Sequence, residues 1–185
     1  MLWPFAKRRQ ATLSECIQGA LSALLRETNS RFIHMYLPMI GDDLGERFAA
    51  HYPYFILVLT RHILLEIVIT RRFKGAIFSP DQAADAWRKG LEEVLQCRSK
   101  THEEYTQKLK DYELALRDYD EAIVAARSKD LPASTFFLIT AHFADKITDL
   151  CSEERHTVME IAFSIADMVK HACRMAPRLY RLTGQ

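Results

Sequence analysis

Residues 102–127 read HEEYTQKLKDYELALRDYDEAIVAAR, and the spacing of their apolar side chains decides the fold class. Tyr105, Leu109, Tyr112, Leu116, Tyr119, Ile123 and Ala126 follow one another at alternating steps of four and three. That is the seam of a heptad repeat, because an α-helix brings such positions to one side. Lys110–Leu116 and Arg117–Ile123 are one seven-residue unit written twice, KDYELAL and RDYDEAI. The stripe therefore alternates tyrosine with an aliphatic residue, and Ala115 and Ala122 widen it. Lys110, Glu113, Arg117, Asp118 and Glu121 fall on the other side and are expected in solvent.

Such a stripe has two uses. It can pack inside the chain's own bundle, or it can meet a partner, a second copy of the chain included. Tyrosine suits an interface, since its hydroxyl needs water or a hydrogen-bond partner. Three heptads, on the other hand, are few for an independent coiled coil. The contact face expected from the pattern is Tyr105, Leu109, Tyr112, Leu116, Tyr119 and Ile123.

Working outward, the same periodicity recurs between helix-start and helix-stop signals. Thr12-Leu13-Ser14-Glu15 has capping-box spacing, and Leu13, Ile17, Leu21, Leu24 and Leu25 continue a helix to about Arg26. A short helical piece is expected over Phe32–Leu37, stopping before Pro38, and another from Asp42 and Asp43 toward Tyr52. Pro53 suits the first turn of a central apolar helix that runs to about Arg72 and ends near Gly75. Ser79-Pro80-Asp81 caps a helix carrying Trp87, Leu91, Val94 and Leu95. Thr101 opens the heptad helix, Lys129–Pro132 breaks it, and an aromatic segment runs from Ala133 to Leu150. Ser152 starts a last helix that Pro177 ends. No stretch alternates with period two between turn residues, so no strand is expected. The chain reads as an all-α, single-domain helical bundle of about six helices around a central buried apolar helix. Residues 12–176 form the domain, between a flexible aromatic and basic segment at 1–11 and a loose tail at 177–185.

Composition narrows the function classes. Among 185 residues, 25 basic and 24 acidic side chains leave a net charge of +1, which argues against a dedicated nucleic-acid partner. Cys16, Cys97, Cys151 and Cys173 are scattered singly, without the spacing of a zinc site or a disulfide framework. Reduced thiols and a cytoplasmic location are the expectation. Met1–Gln10 lacks the apolar run of a signal peptide. The most hydrophobic window, Tyr54–Ile69, is short for a bilayer and contains Arg61, His62 and Glu66, so no transmembrane segment is assigned.

Candidate chemistry is sparse. His62 and Glu66 lie four apart on the most apolar helix, where each needs a partner. His142 sits among Phe136, Phe137, Ile139 and Phe143, surroundings that suit a haem with an axial histidine as well as they suit a core. Phe55, His62, Glu66, Phe136, Phe137, His142 and Phe143 are the ligand pocket such a reading implies; no cofactor is required, and haem or a metal stays open. Glu153-x-x-His156, followed by Glu160, is one half of a di-iron bundle motif that needs two copies, and Asp167 with His171 is a similar spaced pair. Neither Gly-x-Ser-x-Gly nor a phosphate-binding glycine loop occurs, so no catalytic signature supports an enzyme. Trp3 and Phe5, followed by Lys7, Arg8 and Arg9, have the order of a membrane-interface contact. At about 1 kcal/mol per charge, that attachment is weak, peripheral and confined to the inner membrane face. The function expected is a non-enzymatic interaction or regulatory protein that self-associates through helix 102–126. Its alternatives are a ligand-, haem- or metal-sensing bundle and a membrane-peripheral accessory protein.

Overall fold

In the computed structural model, described over residues 9–70, 77–128, 133–148 and 153–182, the chain is an all-α bundle of six helices. They are α1 (Leu13–Arg31), α2 (Leu37–Ile69), α3 (Pro80–Cys97), α4 (His102–Arg127), α5 (Thr135–Ile147) and α6 (Glu153–Leu179). A π-helical turn, Phe32–Tyr36, joins α1 to α2.

The helix starts follow from local side chains. Thr12 and Glu15 close a reciprocal box, with Thr12 N donating to Glu15 Oε2 at 2.7 Å and Glu15 N to Thr12 Oγ1 at 3.3 Å. Ser79 and Gln82 close another at 2.9 and 3.2 Å, with Pro80 in the first turn of α3. Thr101 accepts from Glu104 N at 3.1 Å, but the Glu104 carboxylate takes Lys100 N instead of completing a box. Ser134 caps α5 through Phe137 N at 3.2 Å.

Three boundaries differ from the sequence reading. The pieces expected at 32–37, 42–52 and 53–72 follow one another without a loop; Gly41, at a non-helical φ of 73°, kinks the chain where the second piece was expected to start, and the second and third are continuous through Pro53. Pro53 is therefore inside α2. It removes the hydrogen bond to the Ala49 carbonyl on a stretch where Ala49 and Ala50 face solvent and water can serve instead. The second difference is that two short strands exist. β1 (Arg9–Ala11) pairs in parallel with β2 (Tyr180–Leu182), Arg9 opposite Tyr180 and Ala11 opposite Leu182. Ala11 and Leu182 are buried, so these parts of the two end segments are tied to the bundle instead of being loose. Three residues per strand are too few for period two to register in a sequence. The third is that α6 continues through Pro177 to Leu179.

α2 is the central helix: Phe55, Ile56, Leu57, Val58, Leu59 and Thr60 are consecutive and all buried. Such a run has neighbours on every side, here α3, α4, α5 and α6. Phe48 meets Phe143 edge-on at 5.0 Å, and Phe55 stacks on Phe143 at 4.3 Å. His34–Ile69 is long and apolar enough by composition to cross a membrane, but 56% of its most apolar window is buried inside the bundle. α1 packs closely on α3 at Gly90, where an added Cβ would lie 2.8 Å from the Ser14 carbonyl oxygen.

Candidate functional site

The heptad stripe of α4 faces inward. Tyr112, Tyr119 and Ile123 are buried, and Tyr105, Leu109 and Leu116 are half-buried against the core. As an exposed contact face the stripe is thus corrected: what lines up on it packs against the chain's own helices. Its two central hydroxyls have opposite fates. Tyr112 accepts a 3.0 Å hydrogen bond from Trp87 Nε1. The Tyr119 hydroxyl is buried without a partner among the described residues. Burial pushes Tyr112 up to about 12, and Tyr119 is raised further by burial and by the charge of Asp118.

Aspartates flank the stripe and meet α2 and α5. The Tyr54 hydroxyl donates to Asp111 Oδ2 at 3.4 Å, and Gln107 Nε2 donates to Asp111 Oδ1 at 2.7 Å. Asp118 Oδ2 lies 2.9 Å from His142 Nε2 and 2.8 Å from Lys146 Nζ. Partial burial raises the Asp118 carboxyl, but the hydrogen bonds from Lys146 and His142 outweigh it and hold it below the usual carboxylate value. Asp118, expected in solvent, therefore belongs to the α4–α5 contact. His62 Nε2 lies 3.3 Å from Asp120 Oδ1 but off the hydrogen-bond line, so it has a charged neighbour and no aligned partner. Burial keeps His62 below the usual imidazole value against the pull of Asp120, with Arg61 and Arg127 adding to the depression. His51 is lowered too, by burial and then by the Lys146 charge, which outweigh Asp118.

Two clefts border this three-helix contact. One, of about 300 Å³, is walled by His51, Tyr54, Asp111, Asp118, Tyr119 and Lys146, with Leu114 and Ala115 between the aspartates. The other, of about 480 Å³, is mostly apolar; Leu59, Ile63, Phe136 and Ile139 line it beside His62 and Glu66.

The ligand pocket expected from sequence splits. His62, Glu66 and Phe136 share the larger cleft. Phe55 and Phe143 are stacked core residues that leave no space for a ring system between them. His142 turns Nε2 to Asp118 and packs T-shaped with Tyr119 at 4.8 Å, so the nitrogen that would bind haem iron is engaged elsewhere. Phe137 is 43% exposed and lies 5.7 Å from Phe163. His156 and Glu160 pair at 3.2 Å on an exposed face, and Asp167 and His171 are exposed as well. Among the described residues no group of three or more His, Cys, Asp or Glu side chains is arranged to hold a metal. Trp3, Phe5, Lys7 and Arg8, and the side chain of Arg9, lie outside the described residues, as do Arg71, Arg72, Lys74 and Cys151.

His51, Tyr54, Asp111 and Lys146 were not singled out in the sequence. One signal was present: an aspartate precedes each buried tyrosine of the α4 stripe, in Asp111-Tyr112 and Asp118-Tyr119, at heptad spacing. A helix position beside a core stripe sits at the rim, where a carboxylate reaches the neighbouring helices.

The outer face of α4 is of another kind. Glu113, Leu116, Arg117, Asp120, Glu121, Val124 and Ala125 border a shallow groove, and Val124 is 67% exposed. No known protein family, curated protein or solved structure matches this chain.

Proposed function

We propose that this is a non-enzymatic interaction or regulatory protein that self-associates through the outer face of α4. The observation that carries the reading is the shallow groove there: exposed Val124 and Ala125 and half-buried Leu116 are bordered by Glu113, Arg117, Asp120 and Glu121. Charge order supports a second copy as the occupant. Two α4 helices that approach antiparallel about the point between Asp118 and Tyr119 set Arg117 against Asp120 of the partner subunit, twice by symmetry. An inward stripe and an adjoining groove give α4 both roles that the heptad pattern suggested, with Leu116 on the boundary between them.

Charge reversal tests it. Arg117→Asp alone and Asp120→Lys alone should each weaken the dimer in sedimentation velocity, and the double variant should regain it. A double variant no better than the singles removes the antiparallel pairing. A monomeric wild-type chain at every concentration tested removes self-association.

A further inference from the structure

Asp120 faces two ways. It borders the α4 groove beside Arg117, Glu121 and Val124, where the antiparallel pairing sets Arg117 of the partner subunit against it. Its Oδ1 also lies 3.3 Å from Nε2 of His62 on α2. The Asp120 side chain keeps 46% of its surface open, against 27% for His62, so the carboxylate can turn between the groove and the imidazole. The groups around His62 decide which of the two it meets. On α4 these are Asp120 and Arg127, and on α2 they are Arg61 and, one turn along, Glu66. From α5 the cleft beside His62 is lined, among the described residues, by Thr135, Phe136 and Ile139, none of them charged. Thr135 holds Arg127 there, its Oγ1 accepting from Arg127 Nη2 at 2.7 Å. Burial and the two guanidiniums outweigh Asp120, so the imidazole is neutral near pH 7. A neutral imidazole out of line with the carboxylate holds Asp120 weakly, whereas an imidazolium at that distance binds it as an ion pair.

We propose that protonation of His62 draws Asp120 away from Arg117 of the partner subunit, so that acid separates the two copies. This rests on self-association through α4 and adds the regulation of that contact. The sign follows from linkage. Docking brings a third guanidinium toward His62, after Arg61 and Arg127, and commits Asp120 to it. Both changes make the imidazolium less favourable in the dimer than in the separate chain. The dimer therefore binds fewer protons, and proton uptake must favour dissociation. The two-fold axis repeats the exchange on the second chain, so up to about two protons are taken up per dimer that separates. The window lies below 6.5, the ordinary imidazole value from which His62 is lowered. Among the described residues no histidine lines the groove itself, and His62 is the one paired with a residue that does.

Sedimentation equilibrium of the full chain at pH 7 and pH 5 tests this, with circular dichroism at each pH to establish that the chain is folded. The wild-type dissociation constant should rise roughly tenfold or more on acidification, and that of His62→Gln should change by less than about threefold. Glutamine keeps a polar side chain of similar reach without the charge. NMR titration of the His62 ring gives a second reading that needs no variant. Its midpoint should be lower in concentrated, dimeric protein than in dilute, monomeric protein. A dimer of equal affinity at both pH values, a His62→Gln dimer that weakens as much as the wild type, or a His62 midpoint indifferent to protein concentration overturns the proposal and leaves self-association standing. A wild-type chain that is monomeric at pH 7 overturns self-association, and the acid response with it.

Discussion

Trp87 Nε1 donates to the Tyr112 hydroxyl at 3.0 Å, joining α3 to α4 inside the bundle across 25 residues of sequence. Both side chains are buried, so neither polar atom has water as a substitute. Tyr112→Phe should therefore leave the indole N–H unsatisfied and lower stability by about 1–3 kcal/mol. Urea denaturation monitored by Trp87 fluorescence measures it. A change within error would mean that the indole finds another acceptor.

The neighbouring stripe tyrosine behaves differently. Tyr119→Phe removes a hydroxyl that bonds nothing among the described residues, so the protein should be unchanged or slightly more stable. Tyr112→Glu with Tyr119→Glu instead places two carboxylates in the core. The stripe's inward position then predicts loss of helical circular dichroism, not a folded monomer. A well-folded double variant would return the stripe to the surface.

Gly90 sets the distance between α1 and α3. A Cβ there would meet the Ser14 carbonyl oxygen at 2.8 Å and Ile17 Cγ2 at 2.9 Å. The nearer atom is backbone and cannot rotate away. Gly90→Ala should cost about 1–3 kcal/mol despite alanine's higher helix propensity. A thermal melt at or above the wild-type temperature would contradict the packing.

Acid should weaken the fold in two separate windows. His51 and His62 are depressed in the folded state from the ordinary imidazole value of 6.5. Below that value the unfolded chain takes up protons first, so their contribution is full above it and is lost as pH falls toward the folded values. Asp118 is depressed from 3.8, so its contribution stays until the acid range below that value. Melting temperature should fall from pH 7 to pH 5, and the slope should flatten in His51→Gln with His62→Gln. An unchanged slope would show that other groups govern it.

Much of the architecture was legible because its signals are local. Thr12, Ser79 and Thr101 mark helix starts with side chains that bond backbone within three residues. The run from Phe55 to Thr60 announced a helix covered on every side. The direction of the α4 stripe was not legible: periodicity says that Tyr112 and Tyr119 share a side, and only tertiary packing says what that side meets. For the same reason His142 looked like a pocket histidine beside Phe136 and Phe143, while its true partner, Asp118, is 24 residues away on another helix. Asp111 and Lys146 line one cleft because α4 and α5 lie together there. No spacing within either helix encodes that.

The central claim, that α4 keeps its tyrosines inside and offers its outer groove to a second copy, is tested most directly by sedimentation equilibrium of the wild-type chain and Val124→Glu. The account predicts a concentration-dependent dimer for the wild type and a monomer of unaltered melting temperature for the variant, since Val124 supports no core. A variant that dimerises as strongly as the wild type would contradict it.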